Sequence, residues 1–95
     1  MAAVDVRTVL ELVKARLNRL PEDTSLDDYL LARCEGAIRE LADTGITLTD
    51  STQDTLLAVD YAVWQYQCRD SQTGMPDWLR LRRREYFLRE RRRQA

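Results

Sequence analysis

Residues Thr55 to Cys68, Thr-Leu-Leu-Ala-Val-Asp-Tyr-Ala-Val-Trp-Gln-Tyr-Gln-Cys, constrain the fold of this chain more than any other stretch. On a helical wheel Leu56, Val59 and Val63 fall on one line, and Leu57, Tyr61, Trp64 and Cys68 on another. A helix apolar on nearly every side is buried on several sides. Asp60, Gln65, Gln67 and Arg69 make this one too polar to cross a bilayer, and it is too short. With 95 residues, enough for one domain, the stretch is expected to be the central helix of a small all-α bundle. About four helices are expected, with Leu56, Leu57, Val63 and Trp64 against the first two. Tyr61, Trp64 and Tyr66 each bring a polar atom that needs a partner.

The rest of the chain supplies the packing partners. Val6, Leu10, Val13, Leu17 and Leu20 alternate at spacings of four and three, the stripe of an amphipathic helix. Asp5 is its expected N-cap and Asn18 or Arg19 its end, with Pro21 as the stop. After an acidic link, Ser25 is the expected cap of a second helix that begins with Asp27 and Asp28. Leu26, Leu30, Ala37 and Leu41 mark its inner face, broadened by Cys34 and Ile38. Gly36 either lets another helix approach or is merely tolerated. Gly45 is expected as the left-handed residue that closes this helix after Thr44. Ile46 to Asp50 reads as an extended connector whose Ile46 and Leu48 plug the core. Asp50 or Ser51 then caps the central helix, which is expected to run to Arg69 or Asp70. Ser71 to Gly74 forms a loop, and Pro76 suits the first turn of a last helix.

That last helix has an unusual pattern. Leu79 and Tyr86 share one line, Leu81 and Leu88 another roughly opposite. Arg80, Arg84 and Arg91 run down one side between them, and Arg82, Arg89 and Arg93 down the other. Two apolar seams separated by charge suit a helix that touches two surfaces. Charge divides the chain at the same place. Residues 1–77, the expected bundle body, hold 7 basic and 14 acidic side chains, and residues 78–95, the basic helix and tail, hold 8 and 2. An acidic body with a basic end suggests an interaction surface at that end. All eight of those basic residues are arginine, which pairs bidentately with carboxylate or phosphate. Three readings stay open: a solvated terminal helix, docking to an acidic protein surface, or binding to nucleic-acid phosphates.

Chemistry is constrained mostly by what is missing. The sequence has no histidine, which excludes Ser-His and Cys-His catalysis and histidine metal sites. Gly36, Gly45 and Gly74 stand alone, so there is no Gly-rich phosphate loop. Cys34 and Cys68 lie in helical patterns and read as small reduced hydrophobes. Asp60, set in the apolar central helix, is expected to pair with an arginine or a tyrosine hydroxyl. No catalytic, cofactor-binding or metal-binding residue is expected, and the chain is not expected to be an enzyme. Met-Ala-Ala-Val-Asp lacks the basic and apolar regions of a signal peptide, so a cytosolic protein with no membrane contact is the expectation.

Several segments together resemble the small head–tail connector (adaptor) proteins of long-tailed bacteriophages and prophages. They are Val9-Leu-Glu-Leu-Val-Lys-Ala-Arg-Leu17, and Pro-Glu-Asp-Thr-Ser25 before Leu-x-x-Tyr-Leu-Leu. With them go Leu57-Ala-Val-Asp-Tyr-Ala-Val-Trp-Gln-Tyr66, Arg69-Asp70 and, most specifically, Gly74-Met-Pro-x-Trp-Leu-Arg80. The likeness runs in order over most of the chain. It departs from the better-known members in the short connector after Gly45, which has little strand character. The resemblance implies a non-enzymatic virion subunit, assembled in the host cytoplasm into a ring, usually of twelve, beneath the portal protein. Such a ring extends the DNA channel, touches the passing DNA without reading sequence, and receives the next neck or tail-completion protein. By position, contact with the portal or a neighbouring subunit would fall on Trp78, Leu79, Arg80, Leu81, Arg82, Arg84, Tyr86, Leu88, Arg89, Arg91, Arg92 and Arg93. The competing expectation is a small helical nucleic-acid-binding regulator using the same arginine-rich helix, although no short Gly-containing turn of a helix-turn-helix precedes it.

Overall fold

In a computed structural model, which describes residues 2–68 and 74–94, the chain forms four helices. They are α1 (Val6–Arg16), α2 (Asp27–Asp43), α3 (Thr52–Gln67) and α4 (Asp77–Gln94). No helix among the described residues is long and apolar enough to cross a membrane. The expected end of the central helix at Arg69 or Asp70, and most of the expected loop before Gly74, lie outside the described residues.

Helix α1 starts where its cap predicts. The Asp5 carboxylate accepts from the Arg7 amide at 3.1 Å and the Thr8 hydroxyl at 3.0 Å. It ends earlier than Pro21 would require. Asn18 takes a left-handed φ of 59°, and the Arg19 and Asn18 amides donate back to Lys14 and Ala15 carbonyls at 2.9 and 3.1 Å. That pair of bonds is a Schellman closure, which asparagine tolerates better than most residues. The link that follows is pinned by Lys14. Its buried Nζ donates to the Pro21 carbonyl at 3.0 Å and meets Asp27 at 2.9 Å. Ser25 does not cap α2. Asp23 captures both its hydroxyl (2.7 Å) and its amide (3.1 Å), and Leu26 stands at the N-cap with no side-chain bond.

Helix α2 closes as expected. Gly45 has φ 97°, and the Gly45 and Ile46 amides both donate at 2.9 Å, to Ala42 and Leu41 respectively. Ile46 and Leu48 are then buried in the core. The connector also pairs with the N-terminal residues, which the sequence did not suggest. Val4 donates to the Leu48 carbonyl at 3.3 Å and Asp50 to that of Ala2 at 3.0 Å, around an isolated antiparallel bridge between Ala3 and Thr49.

Helix α3 is capped by Ser51, whose hydroxyl accepts from the Asp54 amide at 3.2 Å. Its Leu57, Ala58, Val59, Tyr61, Ala62 and Val63 are all buried, and α1, α2 and α4 all pack on it. Two of its expected inward residues differ. Leu56 is 42% exposed, although Val59 and Val63 on the same line are buried, and Trp64 is half-buried. Trp64 meets Tyr61 edge-on at 5.5 Å, and Tyr66 meets Tyr29 of α2 at 6.0 Å.

The glycines of α2 and its cap make opposite predictions. A Cβ on Gly36 would meet nothing within 4 Å, so no helix approaches there. A Cβ on Gly45 would sit 3.3 Å from the Phe87 ring of α4, on a backbone that disfavours side chains. Gly45→Ala should therefore cost about 1–2 kcal/mol and lower the thermal midpoint by roughly 5–10 °C. Gly36→Ala should instead stabilise by about 0.5–1 kcal/mol. Thermal unfolding followed by circular dichroism checks both signs.

Candidate functional site

Helix α4 carries every residue that the sequence nominates for partner contact, so its placement decides what it can do. Pro76 opens it, and its carbonyl accepts from the Leu79 and Arg80 amides at 3.1 and 2.9 Å. Asp77 stands in the first turn, where the helix dipole favours an anion. Among the helices α4 packs only on α3. Its inner line is Leu79, fully buried, with Tyr86 and Glu90 nearly so. Leu79 and Tyr86 therefore belong to the protein's own core. They are not presented to a partner while α4 is docked, because this seam fills the surface of α3.

One arginine flank is also turned inward. Arg82 pairs with Asp60 of α3, whose other oxygen takes Arg16 of α1 at 2.6 Å. Asp60 thus meets two arginines rather than a tyrosine, with its side chain 12% exposed. One turn or more along, Arg89 reaches Asp54 at 3.2 Å and lies over the Tyr86 ring at 4.3 Å. Asp54 also accepts from the amide and hydroxyl of Thr49, each at 2.8 Å. Burial pushes the Asp54 carboxyl up, but these hydrogen bonds and the Arg89 charge outweigh it and hold the group below its usual range. A capping box would have sent this carboxylate to the Ser51 amide; Thr49 takes it instead, and the Ser51 amide donates to the Thr49 hydroxyl at 3.3 Å. Burial and then the Asp54 charge push the Tyr86 phenol up.

The opposite flank borders a groove of about 440 Å³ between the end of α2 and α4. Thr44, Ile46, Leu81 and Phe87 line it together with Arg80, Arg83 and Arg84. Arg80 is steadied by the Met75 carbonyl at 3.1 Å and by Asp77 at 3.4 Å. Arg83 lies beside Tyr61, whose hydroxyl donates to Glu40 at 3.1 Å. The outward face carries Trp78, Leu81 and Leu88, which are 52%, 60% and 45% exposed. Arg84, Arg91 and Arg92 are exposed around them, and Arg91 also lies 5.8 Å from the Phe87 ring. The side chain of Arg93 is outside the described residues.

Chemically the rest of the molecule is quiet. Among the described residues no three His, Cys, Asp or Glu side chains group as a metal site. Burial, and then the Glu35 charge, push the Cys34 thiol up to about 11, which makes it a poor nucleophile. What sequence reasoning missed is the division of labour between the two arginine stripes. The signal was present in Asp54 and Asp60, two acidic residues six apart in an otherwise apolar helix, matched by Arg82 and Arg89, seven apart in another.

No family model, no curated protein and no solved structure matches this chain.

Proposed function

We propose that this chain is a structural virion protein, a head–tail connector subunit that is not an enzyme. It joins a ring beneath the portal, extends the DNA channel and receives the next neck or tail-completion protein. One observation carries this reading. Helix α4 is pinned to the body by its inner seam and by Arg82 and Arg89, and it holds out a second apolar seam, Trp78, Leu81 and Leu88, rimmed by arginine. Apolar anchors among arginines are the composition of a docking surface, where a few side chains carry most of the energy. The order of motifs in the sequence, above all Gly74 to Arg80, adds the connector family to that geometry. A nucleic-acid regulator is the weaker alternative, since Arg82 and Arg89 already face carboxylates of the same chain.

The test is recovery on the cognate portal protein beside a duplex-DNA binding assay. Leu81→Ala with Leu88→Ala should weaken portal binding about a hundredfold, since each leucine is only about half exposed and burying that half is worth about 1–1.5 kcal/mol, and leave the helical signal unchanged. Arg91→Gln with Arg92→Gln should weaken it only several-fold. Retained portal binding by the leucine variant, with loss of tight DNA binding by the arginine variant, would favour the nucleic-acid regulator instead.

A further inference from the structure

The two most exposed large apolar side chains of the described residues lie in oppositely charged surroundings. Leu81, 60% exposed, borders the groove between the end of α2 and α4. Among the described residues that groove is lined by Arg80, Arg83 and Arg84 and by no carboxylate, over a floor of Ile46 and Phe87; Asp77 meets Arg80 from the first turn of α4 at 3.4 Å. Leu20, 64% exposed, begins the link between α1 and α2. Residues 20–28 read Leu-Pro-Glu-Asp-Thr-Ser-Leu-Asp-Asp, four carboxylates and no cation. Asp23 and Asp27 are partnered by Arg19 and Lys14, whereas Glu22 and Asp28 are exposed.

These two surfaces cannot meet within one molecule. The link precedes α2 and the groove begins at Thr44, just after it. The 17 residues of α2 hold them about 25 Å apart. We propose that the groove of one copy receives the Leu20–Asp28 link of a second copy of this chain, with Leu20 over the Ile46–Phe87 floor and Glu22 and Asp28 toward Arg80 and Arg84. In this proposal the copies join head to tail, groove to link, so the contact is heterologous and not a reciprocal two-fold exchange. Each added copy leaves one groove and one link open, and growth continues until the rotation closes a ring. This rests on the assembly reading above only in supposing that the protein works as an oligomer; it names the surfaces through which copies join, and it shares Leu81 with the portal seam while leaving Trp78 and Leu88 to the portal.

The experiment uses the full chain and two neutral variants at exposed positions. Arg80→Gln with Arg84→Gln weakens the groove and keeps the link. Leu20→Ser with Glu22→Gln weakens the link and keeps the groove. Sedimentation equilibrium should show wild-type mass rising past that of a dimer with concentration, and falling back with salt. Each variant alone should need at least tenfold higher concentration to associate. An equimolar mixture should give a one-to-one pair and stop there, since only one intact groove and one intact link remain. A wild type that never exceeds a monomer, or halts at a dimer, overturns the proposal. So does a variant that associates like the wild type, or a mixture that stays monomeric. Portal recovery by the wild type separates the two ideas: a wild type that associates through groove and link but does not bind the portal would remove the connector reading and leave this contact standing.

Discussion

Leu57→Ala should lower the free energy of unfolding by about 3–4 kcal/mol. Leu57 is wholly buried in α3, with α1, α2 and α4 all packed on that helix. Helices held on several sides cannot collapse into the cavity, so the loss falls toward the upper part of the range for leucine truncation. Against the roughly 5–15 kcal/mol that holds a small domain together, this is a large share. Its neighbour gives the control. Leu56 is 42% exposed, and Leu56→Ala should change stability by no more than about 0.5–1 kcal/mol. Urea unfolding of both variants, with an unchanged slope, is the measurement. Equal losses at the two positions would mean that α3 is rotated from the orientation described.

Asp54→Ala should cost about 2–3 kcal/mol. Removing one member of a buried ion pair costs about 3–5 kcal/mol, but Arg89 is 39% exposed and recovers some water. The amide and hydroxyl of Thr49 lose their acceptor as well. Because the folded carboxyl titrates below its ordinary value of 3.8, the unfolded chain binds the extra proton. The stabilisation is complete above the ordinary value and is lost as pH falls through the lower, folded one. Urea midpoints at neutral pH and in acid should therefore converge for wild type and Asp54→Asn. A constant gap between them across that range would show that the Asp54 charge does not support the fold.

The architecture was legible because local and global signals agree in most places. The apolar stretch from Leu57 to Val63 was the central helix, and Asp5, Ser51 and Gly45 capped as their chemistry predicts. Boundaries failed where a side chain had two possible partners. Asn18 could take a left-handed backbone and so ended α1 before Pro21 did. Ser25 could accept from the α2 amides or donate to Asp23; it donates to Asp23, and Leu26 stands at the N-cap. Periodicity also gave the two seams of α4 without saying which one faces the body. That choice depends on Asp54 and Asp60, which lie on a different helix and become neighbours only after folding. The pairing of residues 2–4 with the connector left no trace in sequence, since a single bridge needs backbone groups and no particular side chain.

The clamp between α3 and α4 sets how the two sides of one helix can change over generations. Arg82 and Arg89 answer to Asp60 and Asp54 of the same chain, so a change at either arginine is tolerated only with a matching change in α3. Arg84, Leu88 and Arg91 are exposed, and among the described residues no carboxylate of α3 pairs with these arginines. They can drift with whatever surface they meet while the bundle stays as stable as before. A lineage can therefore exchange partners by rewriting one side of α4, with the register of the helix held fixed by the other.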